Sequence, residues 1–225
     1  MIMITVETAE RLRSILALII MYFPSISLVG FGQAWIADRL GDHTSRQCGF
    51  LTLNPFKHFD FMGFLFLIVF GFGWHKALPI NQKSLKKPFK LIKLFLIFFS
   101  PVFLHFLFGS FLLFIIVLMG GGIMFTSPMN ISMPTSNLFT TIKFVLTSGA
   151  MLNIILTGWY TAIGIVRMGV VLFAKDSDEY SRTSDVIFLV FSILFAWIIL
   201  SYIQHFIVIL MIIMEWFFVN LLHIK

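Results

Sequence analysis

Several side chains of the types that bind metal ions lie in the polar segment 38–58, called the connector below, and in the segment that follows it. They are three histidines and two aspartates: His43, His58, His75, Asp42 and Asp60. Imidazole and carboxylate groups are ordinary zinc ligands in hydrolytic sites. One hypothesis is therefore a zinc centre with two or more ligands among the three histidines. The single cysteine, Cys48, excludes an internal disulfide and any cysteine-based metal cluster.

Three further polar residues interrupt apolar stretches: Gln33, Asn153 and Arg167. Gln33 and Asn153 could contact a substrate or partner, but we favour hydrogen bonds between helices, worth about 0.6–2 kcal/mol each. An arginine at the centre of a spanning helix costs about 2.5–3.5 kcal/mol. Because Arg167 lies only eight residues before Lys175, we expect its side chain to extend to the membrane surface.

The elements that position these residues must be membrane helices. Of the 225 residues, 59% are hydrophobic and only 12% are charged, whereas soluble domains are about 45–50% apolar and about 25% charged. This composition excludes a water-soluble enzyme, a disordered chain and a disulfide scaffold. The net charge of +6 is explained by basic residues that collect in cytoplasmic loops beside anionic lipid. Nucleic-acid binding is not indicated, because the sequence has no basic face interleaved with aromatic residues. The predicted partner is the lipid bilayer.

The apolar stretches predict an all-α helical bundle of about four to six transmembrane helices, as a single domain over 1–225. Clear spans are predicted at 14–37, 91–119 and 142–174, since a span needs about 20 apolar residues. The stretch 59–74 is short for a span, so it either re-enters or crosses as a tilted helix. An additional C-terminal unit, 176–225, contains the apolar stretch 186–222, which forms one long helix or two short ones.

The orientation follows from the basic residues. Six lysines lie in loop 75–93, whereas loop 120–141 has no charged residue. Lysine and arginine collect in cytoplasmic loops, so we expect loop 75–93 to be cytoplasmic and loop 120–141 to be outside. If 59–74 re-enters, which we favour, the whole of 38–93 lies on the cytoplasmic side.

Two sequence blocks carry a specific resemblance. The run from Ala34 to Gly63, AWIADRLGDHTSRQCGFLTLNPFKHFDFMG, and the block FGWHKALPIN from Phe72 to Asn81 resemble the site-2 protease family of intramembrane zinc metalloproteases, in the compact form without a PDZ insert. The resemblance covers 14–175, which is then the protease-like core. The resemblance implies that His58 and Asp60 stabilise the fold of the connector. It also implies that Trp74, Pro79 and Asn81 are candidate structural or partner contacts.

The family's catalytic motif, HExxH, falls on Val29, Gly30, Phe31, Gly32 and Gln33. In HExxH, two histidines bind zinc from one helix face and the glutamate is the general base. Here valine has no lone pair, glycine has no side chain, and glutamine is a poor zinc ligand. The two glycines, Gly30 and Gly32, form a small-x-small pair that would let another helix approach closely.

The family's third zinc ligand, a late aspartate, falls on Met168, and a substrate-contact asparagine falls on Leu104. If this alignment holds, Val29, Gln33 and Met168 lie at one depth. A contact from Gln33 to Asn153 or Tyr160 would then preserve the family's geometry.

The resemblance therefore implies a catalytically inactive homologue, a pseudoprotease with no zinc and no catalytic residue that binds transmembrane segments or other membrane partners. The alternative is an active intramembrane metalloendopeptidase with atypical zinc ligands. A third interpretation is a small channel or transporter. Oligomeric state is left open.

Overall fold

The computed structural model describes residues 6–85, 88–120 and 137–173, together with isolated positions between 190 and 221. The predicted C-terminal unit 176–225, including the question of one or two helices over 186–222, lies outside the described residues apart from those isolated positions. Lys86, Lys87 and residues 121–136 of the uncharged loop also lie outside them.

The described residues form six helices in chain order: α1 (Val6–Arg39), α2 (Thr44–Gln47), α3 (Pro55–His58), α4 (Phe61–Phe70), α5 (Lys90–Leu118) and α6 (Leu138–Phe173). No strand occurs within residues 6–85, 88–120 or 137–173. Three helices, α1, α5 and α6, are long and apolar enough to cross a membrane. The predicted all-α membrane bundle is therefore confirmed.

The three predicted spans correspond to these three helices. Helix α1 begins at Val6, earlier than the predicted 14, because the charged residues before Ser14 continue the helix. Its 34 residues have a length of about 51 Å, longer than the hydrocarbon core of about 30 Å. The first turns of α1 therefore extend beyond the apolar layer.

Helix α1 packs against both α5 and α6, and α5 packs along α6. The main core between them contains fully buried side chains from each helix, including Tyr22, Leu113 and Trp159. This core is the scaffold on which the connector and the following hairpin are held.

The connector after α1 is closed by one buried carboxylate. Asp42 accepts hydrogen bonds from the backbone N–H of Thr44 at 3.1 Å and of Asn81 at 2.8 Å. Beside it, the Ser45 hydroxyl donates to the Pro79 carbonyl at 2.8 Å. Asn81 and Pro79 are thus structural contacts that join the beginning and the end of the segment 42–81.

The stretch 59–74 enters and returns on one side. Asp60 caps the first turn of α4 by accepting from Gly63 N–H at 2.7 Å, and the helix ends at Gly71, whose φ of 78° favours glycine. Ten helical residues have a length of about 15 Å, and five extended residues, 72–76, return about 16 Å. Lys76 N–H then donates to the His58 carbonyl at 2.8 Å. Residues 59–76 therefore form a hairpin whose two ends meet, which is the shape that the re-entrant interpretation of 59–74 predicts.

The hairpin is held by close backbone packing and by aromatic rings. A Cβ at Gly63 would overlap the Trp74 carbonyl oxygen, and one at Gly73 would overlap the Gly63 carbonyl oxygen. The Trp74 indole stacks on Trp159 of α6, with centroids 5.3 Å apart. Tyr22 of α1 donates to the Trp74 carbonyl at 2.8 Å. Irregular backbone at membrane depth requires such burial in protein.

Substituting Gly63→Ala should destabilise the fold, because its methyl group meets rigid backbone. We expect a loss of about 1–3 kcal/mol in the free energy of unfolding, as for overpacked cores, measured by denaturant unfolding in detergent. Gly169→Ala in α6 is the matched control, since a Cβ there meets nothing within 4 Å; it should be neutral or stabilising by up to about 1 kcal/mol. Equal effects of the two substitutions would contradict the close packing of the hairpin.

Candidate functional site

Position 30 of α1 is filled from outside the helix by a histidine ring. A Cβ at Gly30 would overlap Nδ1 of His58, the last residue of α3. His58 is fully buried, and its Nε2 bonds to the Thr52 carbonyl at 2.7 Å. The imidazole therefore occupies the space that a side chain at position 30 would need.

The hydrogen bond to Thr52 also determines the tautomer of His58. A carbonyl accepts only, so the ring proton is on Nε2 and Nδ1 carries a lone pair. Burial lowers the pKa of His58, and the Thr52 carbonyl opposes part of this effect. The neutral ring therefore presents an unprotonated nitrogen toward Gly30. Nδ1 has no hydrogen-bond partner among the described residues.

Gln33 connects α1 to α5. Its amide Nε2 is buried and donates to the Ile97 carbonyl at 3.0 Å. Pro101 has no N–H, so the Ile97 carbonyl lacks its usual helical partner. The Ser100 hydroxyl supplies a second donor at 2.9 Å. Gln33 thus forms an interhelical hydrogen bond that compensates a proline in the adjacent span.

The Gln33 hydrogen bond corrects one suggestion from the resemblance. A contact from Gln33 to Asn153 or Tyr160 is not among the hydrogen bonds of these described residues, because Gln33 Nε2 is directed at α5. Asn153 instead joins three helices. It accepts from His105 Nδ1 at 2.7 Å and donates to Ser25 Oγ at 2.9 Å and to the Gly149 carbonyl at 2.8 Å.

Met168 packs in an apolar cluster with Ala37, Ile97 and Phe98. The same Ile97 accepts from Gln33, and Val29 is buried one turn earlier on α1. The α1 positions 29 to 37 extend over about 12 Å. Val29 and Gln33 are thus buried on α1, and Met168 packs in the cluster that contains Ala37, about one turn after Gln33, so these three positions carry apolar or amide groups.

The remaining predicted residues have structural surroundings. Gly32 packs against Leu104 of α5, so this glycine faces a spanning helix, whereas Gly30 faces His58 of the short helix α3. The Arg167 guanidinium lies over the Phe98 ring, 6.0 Å from its centroid. This contact is a cation–π interaction between α6 and α5.

The residues present do not fit a zinc ion. Within the described parts of the chain, no three His, Cys, Asp or Glu side chains lie together so that they could hold a metal. His43 is exposed and pairs with Asp38 at 2.7 Å, His58 lies against Gly30, and His75 stacks on Tyr160 with centroids 4.9 Å apart. Each of the three histidines thus has different surroundings, and within the described residues none of them belongs to a group of three possible ligands.

His105 was not identified from the sequence, although it is buried at the centre of the bundle. The signal was available, since an ionisable residue inside an apolar span indicates a functional or structural contact. Ser25 and Tyr160, which contact the same group of side chains, carry a weaker signal because hydroxyl residues are common in membrane helices.

Comparison with curated proteins finds a related protein of Bacillus subtilis (strain 168), named "Putative zinc metalloprotease YwhC". The two are 39% identical over 71 residues, which is 32% of this chain and 32% of that protein. The match thus spans about a third of the relative's length. No family model matches the chain, and no solved structure matches it. The similarity and the three spanning helices support a site-2-protease-like, multi-pass membrane protein.

The packing of His58 against Gly30 can be measured by a double-mutant cycle. Gly30→Ala alone should cost about 1–3 kcal/mol of unfolding free energy, because the methyl group meets a buried ring. In a His58→Ala background the space is released, so the same change should cost at least about 1 kcal/mol less. Unfolding in detergent measures both values, and Gly169→Ala should show the same effect in either background. Additive effects of Gly30→Ala and His58→Ala would show that the ring does not fill position 30.

Proposed function

We propose that this chain is a pseudoprotease: a non-catalytic, site-2-protease-like membrane protein that binds transmembrane segments of other proteins without cleaving them. The observation that supports this most strongly is at position 30, where the general base of the family would stand. Gly30 supplies no side chain, and the buried ring of His58 occupies the adjacent space.

The positions of the zinc ligands support the same proposal. A catalytic zinc site needs three protein ligands and an open position for water. Val29 is buried and apolar, the Gln33 amide is bonded to α5, and Met168 lies in an apolar cluster. Without zinc and the base, nothing in this arrangement lowers the pKa of a water molecule for attack on a peptide bond.

The re-entrant hairpin supports binding of a transmembrane partner. Its helix α4 turns Gly63 and Leu67 toward the core and exposes five large apolar side chains on the other face: Phe61, Met62, Leu65, Ile68 and Val69. At about 15 Å, α4 reaches only about halfway through the hydrocarbon layer. A partner helix beside α4 would pack against this apolar face, on the opposite side of α4 from Tyr22 and Phe23 of α1, which contact Phe64.

The proposed orientation follows from the fold and the charge. Because 59–76 is a hairpin, the whole of 38–93 lies at one end of the bundle. That segment contains nine of the 16 lysine and arginine residues. The positive-inside rule then makes this end, including loop 75–93, cytoplasmic.

Metal analysis tests the loss of catalysis. The full chain is expressed with added zinc, purified in detergent and measured by mass spectrometry. We expect less than about a tenth of an equivalent of zinc per chain, since no complete ligand set is present. About one equivalent, lost on substitution of His43, His58 or His75, would instead support the atypical metallopeptidase.

Photo-crosslinking tests the binding role. A photoreactive residue replaces Leu65 on the outer face of α4, and a matched one replaces Leu107, which is exposed on α5. Reconstitution with labelled single-span peptides in nanodiscs should give several-fold more product at position 65 than at 107. Equal yields would count against a binding face on the hairpin.

Solute flux through liposomes carrying the wild-type chain would favour the channel or transporter.

A further inference from the structure

Three aromatic side chains form a buried polar cluster between the hairpin and the two later spanning helices. Tyr160 of α6 lies nearly parallel to His75 of the hairpin and to His105 of α5, with centroid distances of 4.9 and 5.2 Å. The two imidazoles are themselves 6.5 Å apart and nearly parallel. The Tyr160 hydroxyl also accepts from His75 N–H at 3.1 Å. All three side chains are buried.

The hydrogen bonds of the two histidines determine where their ring protons are. Nδ1 of His75 bonds to the Lys76 carbonyl at 2.9 Å, and Nδ1 of His105 bonds to Asn153 Oδ1 at 2.7 Å. The Asn153 side-chain nitrogen donates to two acceptors, so the Asn153 oxygen must be the acceptor in the bond with His105. Each Nδ1 therefore carries the proton, and each Nε2 carries a lone pair.

Both Nε2 atoms are buried, and neither has a hydrogen-bond partner among the described residues. A buried acceptor without a partner loses its hydrogen bonds to water and gains none in return, which is unfavourable. Two such acceptors on neighbouring rings, with their tautomers held by other groups, indicate a ligand that supplies protons to both.

We propose that a water molecule binds between His75 and His105 and donates one hydrogen bond to each Nε2. The site does not depend on the proposed pseudoprotease function. Buried waters in proteins ordinarily satisfy polar atoms of this kind, with two to four polar partners each.

The ring separation favours water over a metal ion. A ring nitrogen lies about 1.1 Å from the centroid, so a centroid distance of 6.5 Å allows Nε2–Nε2 separations from about 4.3 to about 8.7 Å. Two metal–nitrogen bonds of about 2.0–2.1 Å reach at most about 4.2 Å, which is below this range, whereas two hydrogen bonds of about 2.8 Å reach about 5.6 Å and cover its shorter part. In addition, no Asp or Glu joins this pair in a group of three within the described residues, so a cation would be buried without a compensating charge.

Nitrogen NMR of the full chain, labelled with ¹⁵N-histidine and held in nanodiscs, tests the proposal. The chemical shift of an imidazole nitrogen separates protonated, hydrogen-bonded, free and metal-bound states. We expect Nε2 of His75 and His105 to show the shift of an unprotonated, hydrogen-bonded nitrogen, with magnetisation transfer from water. A free lone-pair shift, a protonated Nε2, or a metal-type shift that disappears with a chelator would each overturn the proposal.

A variant tests the bridge between the two rings. His105→Phe removes one acceptor, so the Nε2 resonance of His75 should move from its hydrogen-bonded position toward that of a free lone pair. His43→Asn is the matched control, because His43 is exposed and paired with Asp38, and it should leave that resonance unchanged. An unmoved His75 resonance in folded His105→Phe would contradict a shared water. If this variant does not fold, the wild-type shifts still decide, and one equivalent of Zn²⁺ or Cu⁺ added to wild type should leave them unchanged.

Discussion

The amide of Asn153 is the constraint on which the bundle depends. The amide nitrogen donates one hydrogen bond to Ser25 of α1 and one to the Gly149 carbonyl of its own helix, α6. The amide oxygen accepts from His105 of α5. In the hydrocarbon layer an unpaired polar group costs several kcal/mol. One side chain thus aligns the three long helices along their axes, and the hydrogen bond of Gln33 to Ile97 requires that alignment.

The two sequence blocks that carry the resemblance have a structural role that does not depend on catalysis. Asp42 ties the start of the connector to Asn81, and Ser45 ties it to Pro79. Between them, Trp74 fastens the returning arm of the hairpin to α1 and α6. A chain that resembles a metalloprotease in these blocks therefore keeps what the fold needs. The positions that the resemblance assigns to zinc ligands, Val29, Gln33 and Met168, carry no such structural requirement for histidine or aspartate.

Much of this fold could be predicted because hydropathy and helix length are local properties. The three spans and the all-helical class follow from them, and the short stretch 59–74 already favoured re-entry. The partners within the site could not be predicted in the same way. That Gln33 meets Ile97 depends on Pro101 facing α1, and that His58 fills position 30 depends on the path of the connector. His105 could be noticed in the sequence as an ionisable residue in a span, but its contacts with Asn153 and Tyr160 depend on how α5 packs against α6.

The contact between Gly30 and His58 also limits how this chain could change over time. Any larger residue at position 30 meets a buried ring that is itself fastened to the Thr52 carbonyl. A single substitution there is penalised before it can confer an advantage, whereas a prior change at position 58 removes the obstacle. The order of substitutions thus matters, because an ionisable side chain at position 30 can be introduced only after position 58 has changed.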